Sequence, residues 1–188
     1  MDNASQNYIF TLNQVLIALH TRSTDTYGTP YDLDADQIFE VDPQADTDTM
    51  RDSGQVTRKL AVFTHANISI TAGGVDFLAL NILTNGTAGQ SYFKPVAGGA
   101  GLNYFGAIGV ASSDEGKILV VGLRSCKLDT IPMIKFDGQT NKFNVSDMKG
   151  SALAIDQRVF IGQVYDNLAA WNSAKPTDGA TFKTWLTA

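Results

Sequence analysis

Cysteine is nearly absent: Cys126 is the single one in 188 residues, so no disulfide can form within the chain. Beside it stand only two histidines, His20 and His65, too few to complete a structural zinc set of four Cys and His ligands. Long apolar runs are also missing, and none approaches the roughly 18 residues a membrane-spanning helix requires. The opening MDNASQNYIF has no basic segment leading into an apolar core, so a soluble chain made in the cytoplasm without an export signal is expected. Charge is sparse at 18%, while glycine is frequent at 17 residues, a balance that favours strands and turns over long solvated helices.

Recognisable catalytic motifs are scarce as well. Many serines are present, but there is no Gly-x-Ser-x-Gly elbow. Cys126 lies inside the apolar stretch ILVVGLRSCKL, where a thiol behaves as a small buried hydrophobe. His65 falls on the polar side of an alternating run and His20 at the end of another, so both read as hydrogen-bonded structural residues. Gly98, Gly99 and Gly101 are not followed by the spacing or the helix that phosphate cradling needs. Catalysis, a bound metal and a cofactor are therefore not expected.

What the chain does have is 44% hydrophobic residues, enough for one domain with a core. Residues 8–21, YIFTLNQVLIALHT, read as a first strand. A turn follows at Tyr27–Pro30, then an extended piece from Asp32 to Val41, broken by Pro43. In KLAVFTHANISITAGG, Leu60, Val62, Ala66, Ile68 and Ile70 alternate with His65, Asn67, Ser69 and Thr71, the period of a sheet with one core face. Residues 75–83, VDFLALNIL, read as one short helix stopped by Gly86, with a long strand as the competing reading, and the glycine-rich span 89–101 as a surface loop. The second half repeats strand and turn: YFGAIGVAS, GKILVVGLRSCKL across the Asp114–Gly116 turn, MIKFDGQTNKFNV, SALAI and RVFIGQVYDN. The fold class expected is mainly β, a sandwich or barrel with one flanking helix. Domain boundaries are expected at 1–166 for the β domain, including a long loop 42–58, and 167–188 for a C-terminal tail. Trp171, Phe182 and Trp185 in that tail pack back on their own domain or against a neighbour.

The acid is local. From Asp25 to Asp52 there are nine acidic residues and one basic, so the rest of the chain carries a net +3. Asp32, Asp34 and Asp36 begin like a calcium loop, but Gln37 stands where glycine is needed and Pro43 where a bidentate Glu belongs. The stretch DPQADTDTMRDSGQ, 42–55, shows no period of its own, and unstructured spans of such length inside a domain are commonly functional.

The segment FGAIGVASSDEGKILVVGLRSCKLDTIPMIKFDGQTNKFNVSDMKGSALAI resembles the closing region of major tail proteins, the tail tube subunits of long-tailed bacteriophages. Before it, KLAVFTHANISI and GVDFLALNIL ending in Asn-Gly are similar to the strand and short helix of that family, so the likeness spans residues 10–165 through loose patterns. The resemblance implies a structural virion protein forming stacked hexameric rings through intersubunit sheets. The lumen would hold the tape measure protein and later pass DNA without specific binding, with tail terminator and initiator proteins as further partners and no membrane. Localisation would be the virion tail, after assembly in the host cytoplasm. The loop residues Asp46, Asp48, Met50, Arg51 and Asp52 would then meet a neighbouring subunit, and Asp32, Asp34, Asp36 and Glu40 are candidates for the channel wall. Other readings are a related secretion-tube or capsid decoration protein, and a small hydrolytic or metal-binding enzyme.

Overall fold

A computed structural model describes residues 10–33, 38–52, 55–71, 77–84, 86–89, 92–95, 102–130, 134–137, 142–145, 148–156 and 158–188. Its centre is β1 (Phe10–Thr21), in which Val15, Leu16, Ile17 and Ala18 are buried one after another. A strand with no exposed side chain in four successive positions must be covered on both faces. Two short strands follow, β2 (Thr26–Tyr27) and β3 (Tyr31–Leu33), and both pair back on β1. The chain then runs through a hairpin of β4 (Ile38–Asp52) and β5 (Gln55–Thr71), and through α1 (Phe77–Leu83), where the sequence places its helix.

Two four-residue strands, β6 (Gly86–Gly89) and β7 (Tyr92–Pro95), pair with each other, so part of the expected glycine-rich loop is a small hairpin. Then come β8 (Tyr104–Ser113) and β9 (Ile118–Leu128), joined by the acidic turn the sequence marks. Gly116 adopts φ +80 there, a backbone that a residue with a Cβ rarely takes, and Ser113 N donates to Lys117 O at 2.8 Å. The hairpin of β10 (Ile134–Asp137) and β11 (Lys142–Val145) precedes β12 (Met148–Leu153) and β13 (Phe160–Tyr165). The chain closes with α2 (Leu168–Ala174) and α3 (Gly179–Thr187).

The main sheet has nine antiparallel strands in the order β2-β1-β8-β9-β12-β5-β4, with β13 also on β9 and β3 also on β1. Around β1, β8 and β9 both of its faces are apolar. On one, Val15, Ile17, Phe105, Leu123, Ile68 and Ile70 gather with Leu80 and Leu83 of α1. On the other, Leu16, Ile108, Val110 and Val120 lie under Trp171, Phe182, Trp185 and Leu186 of the last two helices. Glycines seat the aromatic rings: a Cβ at Gly122 would run into Trp185, and one at Gly109 of β8 into Phe39. Phe39 belongs to β4, the far end of the sheet order from β8, so the sheet bends round until its edge strand covers its own middle.

Three expectations need correction. The span 42–58 is not a loop, because β4 and β5 pair in register from Ile38↔Thr71 to Asp52↔Gln55. Its aspartates disfavour a strand and no apolar alternation marks it, so no local pattern announces it. Pro43 does not break β4 but sits opposite Ala66, and among the described residues β4 is an edge strand, the position in a sheet where proline is tolerated. The helices number three among the described residues, not one. In the tail, two caps start the helices: Asn167 Oδ1 accepts from Ala170 N at 2.9 Å, and Asp178 and Thr181 form a capping box. Phe182, Trp185 and Leu186 then fall at helical spacing on one buried stripe, and the tail packs on its own domain.

Candidate functional site

Two places concentrate polar groups with defined geometry. The first lies where β1 turns into β2. Asp25 there takes φ 48, and its carboxylate faces the nearby His20 ring and two cations from distant parts of the chain. Lys183 of α3 reaches Asp25 Oδ2 at 2.8 Å and donates to its backbone oxygen at 2.6 Å. Arg124 of β9 stands 3.5 Å from Oδ2 and 2.8 Å from Asp156. His20 Nε2 is 3.1 Å from Asp25 Oδ1, and its Nδ1 is 3.3 Å from Ser125 Oγ. The His20 ring stacks on Tyr27 with centroids 4.5 Å apart, and the Tyr27 hydroxyl donates to Arg124 O at 2.7 Å.

The order carboxylate, imidazole, hydroxyl invites a catalytic reading, and the surroundings oppose it. Ser125 is wholly buried on β9, so no substrate carbonyl can reach its oxygen. Burial holds the His20 pKa below its ordinary value, with the Asp25 bond only partly offsetting it, so the ring is neutral at pH 7. A carboxylate can only accept, so Nε2 carries the proton and Nδ1 accepts from the Ser125 hydroxyl. The Lys183 bond, foremost among several, holds the Asp25 carboxyl below the usual range. Burial pushes the Tyr27 phenol up to about 12 and the Cys126 thiol well above its normal value. Each group is thus kept in the protonation state that suits its partners, and the cluster works as a clamp that fastens α3 to the β1–β2 turn.

The second place is the outward side of β4, β5 and β12, opposite the core. Glu40, Asp42, Asn67, Ser69, Asp129 and Lys149 line an open polar groove there. Buried Ala66, Ile68 and Ile70 alternate with these outward residues, as the period of two in the sequence implies. Among the described residues no cluster of three or more His, Cys, Asp or Glu could hold a metal ion.

Of the channel-wall candidates, Asp32 and Glu40 are described and lie on different strands. Asp32 sits on β3 opposite Leu16, accepts from Gln14 Nε2, and lies 3.6 Å from Lys175 Nζ beside α2. Glu40 is in the open groove instead, while Asp34 and Asp36 lie outside the described residues. Asp46, Asp48, Met50, Arg51 and Asp52 form the outer half of β4, in register with Val62, Leu60, Arg58, Val56 and Gln55. That half has a distinctive setting. β12 bonds β5 only from Ile70 back to His65, so beyond that point β4 and β5 continue as a two-stranded ribbon bonded to nothing else among the described residues. Register slips at Gln44/Ala45 and Met50/Arg51 put an additional residue on β5 each time, bending and twisting the ribbon. Reading the sequence alone missed the Asp25 clamp, because Lys183 lies 158 residues from Asp25 and no local spacing links them. Among the described residues no helix is long and apolar enough to cross a membrane. Compared with family models and with curated proteins, the chain matches none.

Proposed function

We propose that this chain is a structural virion protein, the tail tube subunit of a long-tailed bacteriophage. It assembles into stacked hexameric rings around a channel that holds the tape measure protein and later passes DNA, with terminator and initiator proteins at the tube ends. The observation that carries this reading is the outer half of the β4–β5 hairpin. A two-stranded ribbon is marginal in water by itself, and eight residues of β4, 45–52, would extend it about 26 Å past the sheet at ~3.3 Å per residue. Such a ribbon gains stability when a neighbouring subunit completes it, which makes the work of the protein architectural. The bend that lays Phe39 over Gly109 supports a two-layered β-sandwich as the body of each subunit.

The acidic block supports the same reading by a separate route. Affinity for DNA comes chiefly from Lys and Arg neutralising phosphates, whereas the stretch from Asp25 to Asp52 has nine acids and one base. Carboxylates repeated round a ring repel phosphates within a Debye length of about 8 Å at physiological salt, so DNA passes without sticking.

Negative-stain electron microscopy and light scattering of the purified protein test the reading. Rings and stacked tubes, growing with concentration, are the expected result. Rings that never stack favour a secretion-tube protein, binding to finished heads favours a capsid decoration protein, and a monomer at every concentration, even beside tail initiator components, sinks the tube reading.

A further inference from the structure

The ribbon leaves the sheet at a definite place, and what it leaves behind is an open edge. Along β9, β12 bonds Leu128 to Cys126 and β13 bonds Leu123 to Ile118, so β12 and β13 form one interrupted line of strand. β5 follows that line antiparallel as far as His65↔Leu153. The next residue, Thr64, is the additional one of the first register slip, and from there β5 has no bond to β13. The edge of β13 that a straight β5 would have covered is therefore unpaired among the described residues.

That edge lacks the charge and the proline that commonly protect one. Exposed edges are normally blunted by charge, proline or a bulge, but β13 reads FIGQVY, with no charged residue and no proline. Its side chains alternate exposed and half-buried. Ile161 and Tyr165 pack toward the tryptophans, while Phe160 is 44% and Val164 64% exposed on the other face. A Cβ on Gly162, between those two, would meet nothing within 4 Å. Of the six exposed large hydrophobics among the described residues, three (Phe160, Val164 and Leu168) fall in this short stretch.

We infer that β13 is the acceptor strand for the β4–β5 ribbon of a second copy of this chain. The outer edge of β5, residues 56–63, continues along β13 in trans the antiparallel pairing it makes with β12 in cis, and the arriving ribbon covers Phe160 and Val164. The occupant is argued from what each copy carries: one ribbon lacking a neighbour and one uncharged edge lacking a strand, parted within the chain by the bend at Thr64. Donor and acceptor are different surfaces, so the contact is head-to-tail and propagates into a ring where the rotation closes. The inference rests on the assembly reading above and names the surface that performs it.

The test uses full-length protein in two arms. Val164→Lys places a charge on the acceptor face. Because Val164 is largely solvent-exposed, the thermal melt of the monomer should stay within about 3 °C of wild type, whereas the concentration for ring formation should rise at least about tenfold. In the second arm, Gly162→Cys protein is mixed with a size-tagged copy carrying Thr57→Cys, Lys59→Cys or Ala61→Cys and oxidised gently; the native Cys126 is fully buried and stays out of reach. A mixed disulfide dimer in at least one pairing is expected. If wild type builds rings but no mixed dimer forms and Val164→Lys assembles like wild type, docking on β13 is overturned while the ring-forming function stands. A wild-type chain that never associates overturns both.

Discussion

A methyl group added at position 109 measures how firmly the edge strand closes over the middle of the sheet. Built on Gly109, a Cβ collides with the ring of Phe39, which reaches over from β4. In the native protein Gly109→Ala forces that ring off its rotamer or lifts β4, and such overpacking costs about 1–3 kcal/mol. Without the ring the sign reverses. Glycine within a strand is worse than alanine by roughly 0.5–1 kcal/mol, so in a Phe39→Ala background the same substitution should be neutral or slightly stabilising. Phe39→Ala alone should cost about 2 kcal/mol, taken as half the usual loss for a fully buried Phe because Phe39 is only part-buried. The two changes therefore couple by about 1–4 kcal/mol, more than the few tenths found for independent sites. Urea unfolding of the four proteins, read as midpoints at constant slope, gives that coupling. If Gly109→Ala has the same effect in both backgrounds, β4 does not cover β8 and the curled sheet is wrong.

Two further outcomes concern the clamp at the β1–β2 turn. His20 titrates below its ordinary 6.5 in the folded chain, chiefly through burial, so between the two values the unfolded chain binds more protons. Its contribution is complete above 6.5 and is lost as the pH falls through the folded value, so the urea midpoint should drop from about pH 7.5 to about pH 5. A His20→Gln variant should flatten that slope, and parallel curves for the two proteins would refute the assignment. Asp25→Asn keeps a side chain that tolerates the left-handed backbone but removes the charge shared by Lys183, Arg124 and His20. Discounted for the partial exposure of Asp25 and Lys183, the loss should be about 1–2 kcal/mol, or about 2–8 °C in Tm by calorimetry; an unchanged Tm would show the clamp to be idle.

Much of the strand framework was written locally. Alternation of Ala66, Ile68 and Ile70 with polar neighbours was enough to assign a half-buried strand, and the Asp114–Gly116 turn announced the β8–β9 hairpin, because side-chain period and turn chemistry act over a few residues. The single cysteine and the lack of zinc-ligand sets were equally plain from composition. What the chain order could not convey is whatever depends on a partner far along the sequence. Asp46 and Asp48 form a strand only because Val62 and Leu60 lie opposite them. Asp25 is a clamp only because α3 returns Lys183 to it from the other end of the chain. Among the described residues β13 has a free edge because β5 stops pairing at His65, next to its register slip at Thr64. Period and propensity are properties of neighbours in sequence, whereas pairing, burial of charge and open edges are properties of neighbours in space, and those the tertiary structure alone decided.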